Sequence, residues 1–335
     1  MKLPPGVQAI HAELASREFA DLDDVQAFLE RRMAEYNAAP QSELGGLSPA
    51  EMFELFGGDW ETQGPLRLNE ALGAEAFAQA PFVVAARRLL ATAAVPKGVP
   101  ATASAGNLTR KTVADLMDGA PWPPEVLTDA RRYNKVINEH DFAPVHVLRI
   151  VLELAGLLRR RGKAFRATPA ARDLLADERT GTLAARVFRT FYRNFNLAYQ
   201  GGMDETEPRQ PLVPFFLLRL AVLDAVWRPL YELAPLLHPE LTLADELAAL
   251  DERWGRFMRP DERDEEFERM QLPFAFGDLD FRVLRPLAWF GLLEVRERPS
   301  EMPIVPYCDF RKTALFDQFV TFPPALLTAT RRRLG

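Results

Sequence analysis

The 335-residue sequence contains few of the residues that build disulfides, metal centres and nucleophilic sites. Its single cysteine, Cys308, can form no internal disulfide and cannot build a thiolate zinc site alone. Its four histidines, His11, His140, His146 and His238, do not form a His-Glu-x-x-His ligand pair. The sequence therefore predicts no metal site and no cofactor, and the low cysteine content favours the cytoplasm.

The long uncharged apolar run that a membrane helix requires is also missing. A spanning helix needs roughly 20 nearly uncharged residues, whereas the most apolar stretch, residues 212–227, contains Arg219 and Asp224. Residues 1–6 are short and polar and have no apolar signal core. We therefore expect a soluble cytoplasmic protein without a membrane partner.

The recognised catalytic motifs are absent as well. The sequence has no Walker-type phosphate loop, no Gly-x-Gly-x-x-Gly after a strand and no Gly-x-Ser-x-Gly. Cys308 would need a neighbouring histidine to act as a nucleophile, and a buried structural role is the favoured interpretation. We expect no enzyme; a hydrolase with an unrecognised carboxylate site is the least favoured alternative.

The composition is that of a globular protein, but its charge is unevenly distributed. Apolar residues make up 48% of the chain and charged residues 26%, and the length predicts two or three domains. The net charge of −6 combines −6 for residues 1–100 (8 basic, 14 acidic), +6 for 101–200 (16 basic, 10 acidic) and −6 for 201–335 (17 basic, 23 acidic). A basic middle between acidic flanks predicts either a polyanionic partner or arginines that simply cover solvated helix faces.

The N-terminal part of the sequence predicts a helical hairpin. Residues 22–36 have an amphipathic pattern with an apolar stripe, and Asp21 is placed to cap the helix. Ser48, followed by Pro49 and Glu51, forms a capping-box signal for a second helix that stops at Gly57-Gly58.

This hairpin resembles a segment of uncharacterised bacterial proteins, some of which end in a metal-binding SEC-C tail. The likeness is carried by residues of the pattern YNxxPxxELGGLSPxEM: Tyr36, Asn37, Pro40, Glu43 to Pro49 and Met52. It continues through Gly106-Asn107-Leu108 and Phe195-Asn196. The SEC-C tail needs several cysteines, so its metal binding does not carry over to this chain. The family has no established activity, and the resemblance implies no chemistry.

An internal repeat is the most informative pattern. Val147-Leu148-Arg149 leads through an apolar helix to Gly156-Leu157-Leu158, and Val283-Leu284-Arg285 leads likewise to Gly291-Leu292-Leu293. In both copies a charged run follows that predicts a two-stranded ribbon, and then a helix begins at a threonine. Helix, glycine stop, ribbon and capped helix form the layout of a winged helix. We therefore predict winged-helix-like units at about 140–176 and 278–320.

The predicted fold class is mainly α with short β-hairpins and tandem winged-helix-like units, and α+β only in minor part. We divide the chain into a helical hairpin at 1–60, a basic central region at 61–200 and a C-terminal region at 201–335. One long helix over 179–199 follows the first unit, and an acidic helical insertion at 241–269 precedes the second.

The basic central region predicts nucleic-acid binding. A DNA-binding winged helix places its third helix in the major groove and its wing on the backbone, and the wing here is basic. The 179–199 helix adds arginines together with polar and aromatic groups suited to bases or sugars. The candidate nucleic-acid-binding residues are Arg149, Arg159, Arg160, Arg161, Lys163, Arg166, Arg186, Arg189, Arg193, Asn194, Asn196 and Tyr199.

Two features leave a second function class open. The predicted recognition helix, residues 144–155, is mostly apolar, with only His146, Arg149 and Glu153 on its polar face, whereas base reading favours Arg, Asn, Gln and Ser. The 179–199 helix equally predicts a core face, formed by Val187, Phe188, Phe191, Phe195 and Leu197. The chain is therefore either a non-catalytic binder of DNA or RNA without strong sequence specificity, or a scaffold that binds another protein. Its oligomeric state is not predicted.

Overall fold

The computed structural model describes five stretches of the chain, residues 4–103, 106–199, 210–237, 276–298 and 307–334. Contacts divide the chain into two compact units, Met1–Leu66 with Phe322–Gly335, and Arg67–Thr321. The predicted acidic insertion at 241–269 lies outside the described residues. None of the helices in the described stretches combines the length and the apolarity needed to cross a bilayer.

The smaller unit is helical. It contains α1 (Pro5–Ser16), α2 (Leu22–Ala38), α3 (Pro49–Gly57) and the C-terminal helix Pro324–Leu334. The predicted caps are confirmed, because Asp21 Oδ1 accepts from Asp24 N at 2.9 Å and Ser48 and Glu51 form the capping box. The predicted apolar stripe of α2 is wrong in extent: Phe28 is buried, but Leu22 is 84% exposed.

The larger unit is also mainly helical. Its helices are α4 (Pro81–Ala94), α5 (Arg110–Asp118), α6 (Pro124–Tyr133), α7 (Ala143–Leu154), α8 (Pro169–Asp173), α9 (Thr180–Arg189), α10 (Val213–Val222), α11 (Leu230–Leu237), α12 (Gly277–Leu279), α13 (Arg285–Trp289) and α14 (Ala314–Phe319). Its strands are β1 (Arg67–Leu68), β2 (Val99–Pro100), β3 (Leu158–Arg161), β4 (Ala164–Ala167), β5 (Arg228–Pro229), β6 (Leu293–Arg298), β7 (Tyr307–Lys312) and β8 (Val320–Thr321). The mainly α fold class with short β-hairpins is thereby confirmed.

The strands form three small antiparallel sheets. Their orders are β1-β8, β2-β4-β3 and β5-β7-β6. In both three-stranded sheets a hairpin accepts, on its second strand, a two-residue strand from upstream in the chain. Among the described residues, both halves of the unit therefore have a helix before the short strand, a helix after it, a helix directly before the hairpin and a helix directly after the hairpin.

Matching hydrogen bonds define the base of the first hairpin. Gly156 ends α7 with φ +67°, a conformation that glycine adopts without a Cβ penalty. Leu157 N then donates to Leu152 O at 2.9 Å. After the hairpin, Thr168 N donates to Leu157 O at 3.0 Å, and Thr168 Oγ1 donates to Gly156 O at 2.9 Å.

The second copy repeats every one of these contacts. Gly291 has φ +73°, and Leu292 N donates to Leu287 O at 2.9 Å. Thr313 N donates to Leu292 O at 3.1 Å, and Thr313 Oγ1 donates to Gly291 O at 2.8 Å. The repeat read from the sequence is thus a repeat of backbone geometry as well.

The predicted single helix over 179–199 is wrong. Helix α9 ends at Arg189, a π-helical turn occupies Thr190–Asn194, and a 3₁₀ turn occupies Leu197–Tyr199. Its alternative reading as a core face is confirmed, since the five apolar residues named for it are buried. Tyr192 in the π turn donates its hydroxyl hydrogen to Val283 O at 2.9 Å and so connects the segment after the first repeat to the second repeat.

Candidate nucleic-acid interface

The β3–β4 hairpin sorts its side chains onto two faces. Successive residues of a strand point to opposite sides, and Leu158, Phe165 and Ala167 are buried on the inner side. Arg159, Arg161 and Arg166 therefore share the outer side. Because the ladder pairs Leu158 with Ala167, it places Arg159 directly opposite Arg166.

Four arginines surround an open pocket at this outer side. The pocket has a volume of 470 Å³ and is lined by Arg159, Arg161, Arg166, Ala167, Thr168, Pro169 and Arg172. We call Arg159, Arg161, Arg166 and Arg172 the basic face. Within the described part of the chain none of the four forms a salt bridge; Arg166 Nη1 donates only to Val95 O, at 3.4 Å. Arg172, on α8, was not among the residues predicted from the sequence.

Two further predicted cations lie at the tip of the hairpin. Arg160 is exposed, and its Nε donates to Gly162 O at 3.3 Å. The side chain of Lys163 is exposed, while its carbonyl accepts from Ala101 N at 2.9 Å. Together with the basic face these residues give one short hairpin and the following helix six cationic side chains.

Arg149, in contrast, is used inside the fold. Its Nε donates to Glu139 Oε1 at 2.7 Å, its Nη1 donates to Glu153 Oε2 at 2.5 Å, and only 13% of its side chain is exposed. Burial would raise the pKa of Glu139, but hydrogen bonds from His146, the Leu108 N–H and Arg149 outweigh burial and hold that pKa below its ordinary value. Arg149 therefore stabilises a buried carboxylate and does not belong to the basic face.

Arg186 and Arg189 are likewise engaged within the fold. Arg186 donates from Nε and Nη2 to Ala155 O at 2.9 and 2.6 Å, so it satisfies a carbonyl at the end of α7. Arg189 Nη1 lies 2.9 Å from Glu70 Oε1. These two predicted arginines therefore do not contribute to a free cationic surface.

The remaining predicted residues lie apart from the pocket. Arg193, Asn194, Asn196 and Tyr199 are all exposed, and Tyr199 is 81% exposed. Asn196 Oδ1 accepts from Ala198 N at 3.0 Å, which stabilises the local turn. None of the four lines the pocket of the basic face. The structure thus divides the predicted set into a hairpin group, a group engaged within the fold and a separate exposed group.

Helix α7 presents little of itself for base reading. Six of its twelve residues are buried: Pro144, Val145, Val147, Leu148, Val151 and Leu152. On its polar side Arg149 is paired, and His146 Nδ1 lies 2.8 Å from Glu139 Oε1. The surface that the fold leaves cationic is therefore the hairpin and not the helix before it.

Cys308 has the buried structural role that the sequence favours. Its side chain is 1% exposed, and Arg285 Nη2 donates to its sulfur at 2.9 Å. Burial raises the pKa of this thiol to about 12, although the charge of Arg285 opposes the shift. A thiol with so high a pKa carries little thiolate at neutral pH and is a poor nucleophile. In the described ranges, no three His, Cys, Asp or Glu residues cluster as metal ligands do.

Comparison with known families matches part of this region. Residues 78–180 are similar to the Y4jL N-terminal domain. The match begins just before α4 and ends at the start of α9, so it contains the first repeat and its basic hairpin. It does not include residues 36–52, where the likeness to the bacterial hairpin segment stays a prediction. The comparisons gave no matching curated protein and no matching solved structure.

Proposed function

We propose that this protein binds the sugar–phosphate backbone of nucleic acid through the basic face, without catalysis and without strong sequence specificity. The carrying observation is the cross-strand pair Arg159–Arg166, which no carboxylate of the described chain neutralises. Like charges directly opposite each other on a sheet are destabilising. An arrangement that costs stability in the free protein is explained when an anionic partner neutralises it.

The surrounding architecture supports a winged-helix-like module. Strand order β2-β4-β3, with α7 ahead of the hairpin, matches the order of helix, short strand, helices and wing. In such modules the wing contacts the backbone. The basic hairpin is the wing in this arrangement.

Weak sequence specificity follows from the state of α7. Bases are read by side-chain donors and acceptors that enter a groove, whereas most of α7 is buried or paired. Arginine contacts to phosphate position a protein on its partner but carry no sequence information. The basic face therefore supplies affinity that falls with salt.

Fluorescence anisotropy on labelled oligonucleotides tests this proposal. Duplex DNA, single-stranded DNA and single-stranded RNA of scrambled sequence are titrated at several salt concentrations. Four phosphate contacts predict a slope of log K against log salt of about −3.6 on duplex DNA, at 0.9 per phosphate. The affinities of the wild type for the three polymers are expected to differ from one another by less than the affinity of the wild type differs from that of the variant Arg159→Gln/Arg161→Gln.

The matched control is Arg131→Gln/Arg311→Gln, which removes two arginines already paired with Asp118 and Glu294. We expect it to bind as the wild type does. Absence of salt-sensitive binding at low salt rejects the proposal, and so does equal loss of binding in the two double variants.

A further inference from the structure

A second pocket in the larger unit has a different chemistry. It has a volume of 340 Å³ and lies between α6, the start of α7, and α13 with β6 of the second repeat. Four aromatic side chains line it: Tyr133, Phe142, Phe281 and Trp289. Its size falls at the small end of the roughly 300–1,000 Å³ found for small-molecule sites.

Helix α6 covers this pocket without filling it. Of its ten residues only Ala130 is buried, and Val126, which also lines the pocket, remains half-buried. Helices of soluble proteins normally bury an apolar stripe against the core. The inner side of α6 is thus left with apolar surface that the side chains of the described residues do not cover.

The charges around the pocket are predominantly negative. Among the described residues, its lining contains the carboxylates of Glu125, Asp129, Asp141 and Glu297 and one guanidinium, that of Arg285. The Nε of Arg285 already donates to both oxygens of the buried Asp280 at 3.0 Å.

Two of these four carboxylates have partners within the fold, and the other two have no cation among the described residues. Asp141 Oδ2 accepts from Asn138 N at 2.8 Å, and Glu297 Oε1 lies 3.5 Å from Arg285 Nη1. Glu125 and Asp129 form no ion pair within the described stretches. Burial raises the pKa of Glu297, and the charges of Asp129 and Glu125 raise it further against the attraction of Arg285. Asp129 and Glu125 therefore repel the charge of Glu297, and a bound cation would relieve that repulsion.

We propose that this pocket binds a small organic ammonium ion with an apolar body. The negative face of an aromatic ring attracts a cation. Arg132 already lies over Tyr133 and Arg285 over Phe281, at 5.5 and 5.2 Å from the ring centroids. The half-buried Trp289 is therefore the ring that a ligand meets. The apolar body lies against Val126 and Trp289, and the charged nitrogen faces Glu125 and Asp129. The site is independent of the basic face, which selects ligands of the opposite charge.

Ligand-detected saturation-transfer NMR with a matched series tests the proposal on the full chain. The probes are benzyltrimethylammonium, choline, the neutral choline isostere 3,3-dimethyl-1-butanol, and the anion 3,3-dimethylbutanoate. We expect choline to bind about tenfold more tightly than its neutral isostere, benzyltrimethylammonium to bind more tightly than choline, and the anion not to bind. Equal affinities for choline and its isostere would overturn the proposal.

Three variants separate pocket binding from nonspecific charge attraction. Glu125→Gln/Asp129→Asn should reduce choline affinity to that of the isostere, while Val126→Trp should exclude the three probes that bind the wild type. Asp115→Asn is the matched control, because it removes an exposed carboxylate on α5 that does not line the pocket. Circular dichroism checks that every variant is folded. If binding of a folded Val126→Trp is unchanged, or if Asp115→Asn weakens binding as much as the double variant, the site assignment is wrong.

Discussion

The two hairpins of the larger unit stand at the same place in the repeat but handle charge in opposite ways. On β3 and β4, Arg159 lies opposite Arg166 and neither has a carboxylate partner in the described chain. On β6 and β7, Glu294 lies opposite Arg311 and forms a salt bridge with it. Opposite charges across strands stabilise a ladder, and like charges weaken it.

The remaining cations of the second hairpin are paired as well. Asp309 is buried, and its Oδ2 lies 2.5 Å from Arg296 Nη2 while its Oδ1 lies 2.7 Å from Arg298 Nε. Lys312 Nζ lies 2.8 Å from Asp317 Oδ1. The second hairpin thus carries a similar number of cations with their charge compensated internally.

Counting positions from the shared landmarks shows where charge is reversed. The third residue after the glycine is Arg159 in the first copy and Glu294 in the second; the fourth residue after the threonine is Arg172 in the first and Asp317 in the second. The backbone contacts at the hairpin base are the same in both copies. Arg161 and Arg166, in contrast, have arginines at the matching positions of the second copy, Arg296 and Arg311. The fold therefore does not require the cations at Arg159 and Arg172, and their presence in the first copy points to a role outside folding.

The largest expected effect concerns a buried ion pair of the second repeat. Replacing Arg285 by Leu leaves Asp280, with 3% of its side chain exposed, without its cation. Loss of one partner of a buried pair costs about 3–5 kcal/mol, measured as the free energy of unfolding in urea. Asp280→Leu in the same chain should recover part of this loss. Arg149→Leu should cost less than Arg285→Leu, because Glu139 keeps its hydrogen bonds to His146 and the Leu108 N–H; equal costs would contradict this account.

The second effect is on nucleic-acid binding. Arg159→Glu/Arg161→Glu reverses two charges of the basic face and should reduce the affinity for duplex DNA by more than tenfold at low salt, because two phosphate attractions become repulsions. Anisotropy titration measures the change. Retained affinity would show that the cations of the first hairpin serve no partner of this kind.

A third prediction concerns acid. Because the folded chain lowers the pKa of Glu139 from its ordinary value of 4.5, this carboxylate contributes stability above that value, and the contribution is lost as pH falls through the lower folded pKa. The free energy of unfolding of the wild type should therefore decline more steeply below pH 4.5 than that of Glu139→Gln. Urea titrations at pH 7 and at successive acidic values compare the two. If the free energies of unfolding of the wild type and Glu139→Gln change with pH in parallel, the ionised form of Glu139 does not stabilise the fold.

The smallest effect is a mirrored pair of substitutions on the two hairpins. Arg166→Glu places an acid opposite Arg159 and should stabilise the fold by about 0.2–1 kcal/mol. Glu294→Arg places a cation opposite Arg311 and should destabilise it by a similar amount. Thermal unfolding measures both changes in stability. If both variants are stabilised, or both are destabilised, the charges of the first hairpin are not uncompensated or those of the second are not compensated.

Features set by neighbouring residues were predictable from the sequence. The capping box at Ser48, the glycine stops at Gly156 and Gly291 and the threonine starts at Thr168 and Thr313 all depend on contacts within a few positions or on one backbone conformation. Such signals also set the length and place of the hairpins, because each ladder is fixed by the elements on either side of it.

Features set by distant residues were not predictable. Arg189 finds Glu70 across 119 positions, and Arg186 finds the carbonyl of Ala155 across 31. No local pattern indicates which arginine will contact such a partner, so the sequence predicts a larger set of site residues than the structure brings together. Arg172 is absent from the predicted set because it belongs to the helix after the hairpin. A signal for it exists in the sequence, since the matching residue of the second copy, Asp317, has the opposite charge.

The threonine that closes each hairpin has a consequence for how this protein can change. In each copy the threonine after the ribbon donates its hydroxyl hydrogen to the carbonyl of the glycine before the ribbon, Thr168 to Gly156 and Thr313 to Gly291. The ribbon is therefore an insert whose two ends are joined by a contact that uses no residue of the ribbon itself. Mutations at the outward-facing positions of the insert alter which molecules the surface attracts, while inward-facing residues such as Leu158, Phe165 and Ala167 remain packed in the core. A duplicated insert of this kind lets one copy acquire a new partner as the other continues to maintain the fold.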